Sequence, residues 1–206
     1  MDAVKGLAAI LLLAVAALLA AAEPVAEPPA GDLLVASAMM QDPRFQRSVI
    51  LVLRHDASGA FGVAINRPLG TRTIAEVLAD ANGTPDKNSA RDANLETTIS
   101  VYLGGPVQPE YGFVIHGDDY RRPETLILGN GLAMTSTKEV LRDIARQQGP
   151  KKYLFAVGYA GWGAGQLEGE IARRDWFTAP ADPGLVFDEE RGAVWDRALA
   201  RRMREL

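Results

Sequence analysis

The sequence predicts a single α+β domain, and three observations favour that fold class. Predicted strands and helices alternate only in part, which favours an α+β fold over a doubly wound parallel sheet. Two predicted strands, 48–54 and 61–66, flank a loop that ends in Gly59, which is typical of a β-hairpin. Apolar residues make up 48% of the 206 residues, which suits one sizeable core in residues 32–206.

The remaining elements follow from local residue patterns. Apolar and β-branched segments predict strands at 33–38, 48–54, 61–66, 101–103, 112–116, 125–128 and 153–157. Helical spacing predicts helices at 73–81, 136–147, 166–174 and 189–204. Ser136 and Glu139 are predicted to form a capping box. The polar run 84–97 is predicted to be a flexible insertion.

The most informative stretch is residues 158–171, where five glycines follow the predicted strand 153–157. A glycine-rich turn before a helix presents main-chain N–H groups and the positive end of the helix dipole, which suits an anion. The alternative is structural, because glycine allows positive φ or close backbone passage, and Trp162 can fill the core. The run lacks the lysine and hydroxyl of a P-loop and the pattern of a dinucleotide fingerprint, so neither nucleotide site is predicted.

Four segments carry a resemblance to a known family. They are QDPRFQRSVI at 41–50, GAFGVAINRPLG at 59–70, YLGGPVQPEYGFVIH at 102–116 and GYAGWGAGQLEGEIARRDWFTAPAD at 158–182. In this order they closely resemble the AlgH/YqgE family of bacterial proteins, from about Gly31 to the C-terminal helix. The resemblance implies one domain with a twisted, bulged, mostly antiparallel sheet packed by helices. It implies little chemistry, since the family is largely uncharacterised and its common label, transcriptional regulator, comes from a genetic association with alginate regulation.

Residues 1–22 are predicted to be a signal peptide or an N-terminal membrane anchor. The segment 6–22 is uncharged and mostly leucine and alanine, and three alanines precede Glu23 as in an AxA cleavage site. Residues 23–31 are predicted to be a Pro/Ala-rich linker. The protein is therefore expected to be exported, periplasmic or anchored in the inner membrane, touching the membrane only through an uncleaved N-terminal segment. A cytoplasmic location, usual for the family, is the alternative.

No catalytic residue, metal ligand or cofactor is predicted. His55, expected in an exposed hairpin turn, and His116 are the only histidines, neither in an HExxH motif, and the chain has no cysteine. A net charge of −4 and the lack of a recognition-helix turn argue against nucleic acid as a partner. The prediction is a non-catalytic binding or interaction domain, with an unrecognised small-molecule enzyme as the alternative and a direct DNA-binding regulator less favoured.

The expected ligand site combines a cation with glycine-rich bends. The Arg67 guanidinium suits a carboxylate or phosphate, although it could equally pair with an internal acid such as Asp42. We expect one groove for a protein partner or a small anionic ligand, lined by Arg67, Gly104, Gly105, Gly161, Trp162, Gly163 and Gly165. A pocket that holds Arg67, His55 or His116 would favour the enzyme. An apolar patch flanked by charge would favour a protein partner.

Overall fold

The computed structural model of the chain describes residues 28–82, 94–188 and 190–202. The predicted signal peptide or anchor, most of the predicted linker and most of the predicted insertion lie outside these residues. None of the helices within the described ranges has the length and apolar character needed to span a bilayer.

Ten strands and five α-helices make up the described part of the chain. The strands are β1 (Asp32–Ala36), β2 (Val49–Asp56), β3 (Gly59–Ala64), β4 (Pro68–Thr73), β5 (Thr98–Leu103), β6 (Val107–Gly117), β7 (Leu126–Gly129), β8 (Leu132–Thr135), β9 (Tyr153–Gly163) and β10 (Trp176–Pro180). The helices are α1 (Ile74–Asn82), α2 (Lys138–Ala145), α3 (Gln166–Ala172), α4 (Pro183–Val186) and α5 (Val194–Arg202), with a 3₁₀ turn at Arg191–Ala193.

The strands form one mostly antiparallel sheet in the order β10-β1-β2-β3-β9-β6-β8-β7, to which β5 and β4 are added beside β9. Among the strands of the described residues, only the β5–β9 pairing is parallel. Register shifts in four of the ladders bulge the sheet. The predicted α+β class and the predicted hairpin of β2 and β3 are confirmed.

The predicted capping box of α2 is wrong in detail. The helix begins at Lys138, two residues later than predicted, and Thr137 occupies the N-cap position. The Thr137 side chain makes no capping hydrogen bond, and its hydroxyl donates to the Glu124 Oε1 atom at 2.8 Å. The hydroxyl at the start of the helix thus takes part in a tertiary contact.

Strand β9 passes from one part of the sheet to another. Its first half lies between β5 and β6, with Phe155 opposite Val101, whereas its second half pairs with β3. A Cβ atom added at Gly105 would lie 2.1 Å from the Tyr159 carbonyl carbon. The backbone at Gly105 therefore packs directly against the backbone of β9, and only glycine leaves room for this contact. The predicted glycine-rich turn is therefore mostly strand, since β9 continues to Gly163.

Apolar residues form three clusters on the faces of the sheet. The largest lies beneath α4 and α5, and contains Leu33, Leu51, Ile115 and Trp195. The second lies beneath α3 and contains Leu34, Ile50, Trp162 and Trp176. The third lies between α1, α2 and the strands β5, β6 and β9. Because neighbouring residues of β1 enter different clusters, this strand is buried on both faces, and its sequence is continuously apolar from Leu33 to Ala36.

Candidate binding groove

A groove of about 740 Å³ lies on the face of the sheet that α1 and α2 cover. Apolar side chains of these helices and of β5, β6 and β9 form its floor, namely Val77, Leu78, Val101, Val114, Leu141, Phe155 and Val157. All seven belong to the third apolar cluster or pack against it. The groove is thus the part of this face that the two helices leave open, and its volume suits a small molecule or a few side chains of a partner.

Two backbone irregularities build the walls of the groove. In β6, the residues between Val107 and Gly112 bulge out of the ladder opposite Gly158, which places Tyr111 at the rim. In β4, a register shift at Gly70, which has a φ of +139°, accompanies the exposure of Leu69 on the other wall. Leu69 and Tyr111 are 59% and 55% exposed, so each wall presents a large apolar side chain to solvent beside the apolar floor.

The rim carries charges of both signs. Arg72, Glu110 and Lys138 contribute to the lining, and the Arg72 Nε atom lies 4.0 Å from the Glu76 Oε2 atom. Ser136 and Thr137 add hydroxyl groups at the start of α2. Apolar contacts at the floor can thus supply affinity, while the rim can orient an occupant.

The predicted ligand residues separate into two groups, the first of which lies beside the passage of β9. The Leu103 N–H donates to the Arg67 carbonyl at 2.9 Å, and the Gly104 N–H donates to the Val157 carbonyl at 2.8 Å. These bonds bring Arg67, Gly104 and Gly105 together. The Arg67 guanidinium donates to the Ser48 hydroxyl at 3.3 Å. The predicted alternative pairing with Asp42 is wrong, because Arg44 holds that carboxylate at 2.6 Å and contributes to a lowered Asp42 pKa.

The second group, Gly161, Trp162, Gly163 and Gly165, lies at the far end of β9 and the start of α3. Trp162 is buried, and its indole N–H donates to the Glu170 Oε2 atom at 2.8 Å. The Trp176 indole donates to the same oxygen, also at 2.8 Å. The Gly163 N–H donates to the Gln166 side chain at 3.1 Å. None of the seven predicted residues lines the groove described above.

His55 forms a contact that the sequence prediction missed. Its side chain is only 2% exposed, so the predicted exposed turn is wrong for this residue. The Nε2 atom lies 2.7 Å from the Glu168 Oε1 atom, and Nδ1 lies 3.0 Å from the Pro28 carbonyl oxygen. The partners are 113 and 27 residues away in the sequence, so no local pattern could have revealed them.

His116 is also buried, but its ring has neutral partners. Nδ1 lies 2.7 Å from the Gly117 carbonyl oxygen, and Nε2 lies 2.9 Å from the Thr135 hydroxyl. Burial is the main cause of a lowered His116 pKa. Neither histidine lines the groove, and no group of three or more potential metal ligands occurs among the described residues.

Comparison with known proteins settles the family. The profile of a family described as AlgH-like matches residues 33–205, which is most of the chain. The chain belongs to this AlgH-like family. An AlgH-like relative from Jannaschia sp., a UPF0301 protein, is 44% identical over 171 residues, covering 82% of this chain and 85% of the relative. A UPF0301 protein from Methylococcus capsulatus is 44% identical over 169 residues, covering 82% and 88%.

Two solved structures share the fold. The solution structure of AlgH from Pseudomonas aeruginosa has a TM-score of 0.67 and 40% identity, covering 83% of this chain and 87% of that one. The crystal structure of a Corynebacterium diphtheriae protein has a TM-score of 0.64 and 25% identity, covering 89% and 92%. The resemblance seen in the sequence and the predicted AlgH-like fold are therefore confirmed. The names of these relatives state no activity.

Proposed function

We propose that this AlgH-like domain is a non-catalytic interaction domain whose groove receives an apolar segment of a partner protein. The observation that carries the proposal is an apolar floor flanked by two exposed apolar side chains, Leu69 and Tyr111, and by charges of both signs. Exposed apolar surface rimmed by polar groups is typical of protein interaction sites, and aromatic residues are enriched in them. An enzyme is less favoured, because His55, His116 and Arg67 lie outside the groove.

Site-specific photocrosslinking in the native cells tests this proposal. Benzoylphenylalanine would replace Tyr111 or Leu69, one at a time, in the full-length protein, and mass spectrometry would identify the adduct. We expect both positions to capture the same protein. Ile127 provides a matched control, because it is an apolar residue 45% exposed on β7, outside the groove lining.

The captured protein must then bind in purified form. We expect calorimetry to detect its binding to the unmodified domain and a loss of affinity with Tyr111→Asp. Equal capture from Ile127, or unchanged affinity of the Tyr111→Asp variant, would show that the groove is not the interaction site.

We also propose that the domain acts at the cell envelope, a proposal that rests on the apolar segment 6–22 and the alanines before Glu23. Fractionation of tagged full-length protein, with N-terminal sequencing, tests it. A mature form that begins at Glu23 in the periplasm, or an intact form in the inner membrane, would support the proposal. An intact protein in the cytoplasmic fraction would contradict it.

A further inference from the structure

The contact between the buried His55 ring and the partly exposed Glu168 carboxylate joins three separate parts of the chain. His55 lies in β2, Glu168 lies in α3, and Pro28 precedes β1. The two ring nitrogens of His55 lie 2.7 Å from a Glu168 carboxylate oxygen and 3.0 Å from the Pro28 carbonyl oxygen. These residues do not line the groove, so this contact is independent of the proposed partner site.

The hydrogen bonds of the His55 ring determine how many protons His55 and Glu168 carry between them. A main-chain carbonyl can only accept, so the Nδ1 atom that faces Pro28 must carry a hydrogen. A neutral imidazole has one N–H, which would leave a lone pair on Nε2 facing the carboxylate. Two acceptors at 2.7 Å repel each other, and the contact therefore requires one additional proton on His55 or Glu168.

The surrounding groups place that proton on the imidazole. A main-chain hydrogen bond is the largest cause of a lowered Glu168 pKa, and the His55 hydrogen bond adds to it, against the opposing effect of burial. On β2 itself, Arg54 and Asp56 precede and follow His55 and pair with each other at 3.3 Å, on the opposite face of the strand. The residue opposite His55 on β3 is the apolar Ala60. These observations favour an imidazolium–carboxylate pair, in which the His55 ring is buried and the Glu168 side chain is 28% exposed.

We propose that His55 and Glu168 form a proton-dependent clasp that holds the chain at Pro28 against β2 and α3. When the additional proton is lost, one ring nitrogen has no hydrogen to donate, so the contact to Pro28 or the contact to Glu168 breaks. The clasp is therefore closed at neutral and acidic pH, and it opens as the pH rises. His116 behaves in the opposite sense, because its burial favours the neutral ring.

Nitrogen-15 NMR of the histidine rings in the full-length protein tests the clasp. At pH 7.5 we expect both ring nitrogens of His55 to carry protons, whereas an ordinary histidine, with a pKa of about 6.5, is mostly neutral there. His116 serves as an internal reference and should be neutral. A neutral His55 ring at pH 7.5 would overturn the proposal, and this spectrum decides the question even if a variant fails to fold.

The Glu168→Gln variant sharpens the test, because a glutamine amide can donate to an unprotonated Nε2. We expect its His55 ring to be neutral at pH 7.5 with the Pro28 contact retained. The matched control is Asp175→Asn, an exposed carboxylate paired with Arg173, and its His55 ring should remain doubly protonated. A doubly protonated ring in Glu168→Gln at this pH would overturn the assignment.

Amide exchange reports whether the clasp holds the chain. The Gly31 N–H donates to the Val52 carbonyl at 2.9 Å, three residues after Pro28. We expect its protection factor to fall about tenfold between pH 7 and pH 10 in the unmodified protein. The same factor should stay constant in Glu168→Gln, since no additional proton is involved. Constant protection in both proteins would show that the pair does not control this segment.

Discussion

The two halves of β9 belong to one strand but serve different purposes. In the first half, Phe155 and Val157 form part of the floor of an open groove. The second half is rich in glycine, and it buries Trp162 against Trp176 and the Glu170 carboxylate. The most conspicuous segment of the sequence thus contributes Trp162 to the packing, whereas the plain apolar half of the same strand lines the candidate binding groove.

The largest expected effect lies at the junction between the halves. In Gly105→Ala, the new Cβ would lie between 2.1 and 2.3 Å from three backbone atoms of Tyr159 and Ala160, none of which can move freely. We expect a loss of about 4 kcal/mol or more in the free energy of unfolding, measured in urea. The matched control is Gly163→Ala, whose Cβ would meet only a side-chain oxygen at 3.9 Å. Equal stability of the two variants would contradict the packing explanation.

The stability of the glycine-rich half of β9 should depend strongly on Glu170. Replacing it with leucine leaves the indole N–H groups of Trp162 and Trp176 without their carboxylate acceptor. We expect this variant to lose about 3 kcal/mol of unfolding free energy. Glu110→Leu removes an exposed carboxylate of β6 from the rim of the groove and should change stability by less than about 0.5 kcal/mol. Urea unfolding of both variants would show whether the halves differ as described.

Substitutions at the rim of the groove should weaken partner binding and leave the free energy of unfolding unchanged. Tyr111→Asp changes an exposed side chain at the rim, so we expect its unfolding free energy to stay within about 0.5 kcal/mol of the unmodified protein. Its affinity for the crosslinked partner should fall by at least about tenfold, as at a binding hot spot. Ile127→Asp, on β7, should leave the affinity unchanged when both are measured by calorimetry. A comparable loss with Ile127→Asp would contradict the separation of these surfaces.

The smallest expected effect is the pH dependence of stability that comes from His116, which lies opposite Tyr153 at the start of β9. Burial lowers its pKa in the folded state below the ordinary value of 6.5. The unfolded chain therefore binds the proton more readily, so this contribution to stability is complete above pH 6.5 and is lost as the pH falls below it. We expect the stability difference between the unmodified protein and His116→Asn to shrink on acidification, with the His55 contribution cancelling in that difference. A difference that grows on acidification would contradict the neutral ring.

The elements that local signals specify could be predicted from the sequence. The hairpin follows from the loop that ends in Gly59, and α3 begins at Gln166 as predicted. The groove could not be predicted, because it arises where a bulge in β6 faces Gly158 and where α1 and α2 leave part of the sheet open. The glycines were misassigned to a turn for a related reason. Glycine is needed in a turn with positive φ, and it is also needed where two distant backbone segments pack closely together. The sequence alone does not distinguish these two cases.

Amide hydrogen exchange with and without the purified partner decides which end of β9 supports binding. We expect the partner to slow exchange in residues 69–72 and 109–112, at the two walls of the groove, and to leave residues 161–166 unchanged. Slower exchange centred on residues 161–166, with the groove walls unaffected, would contradict this expectation and restore the glycine-rich end of β9 as the binding site.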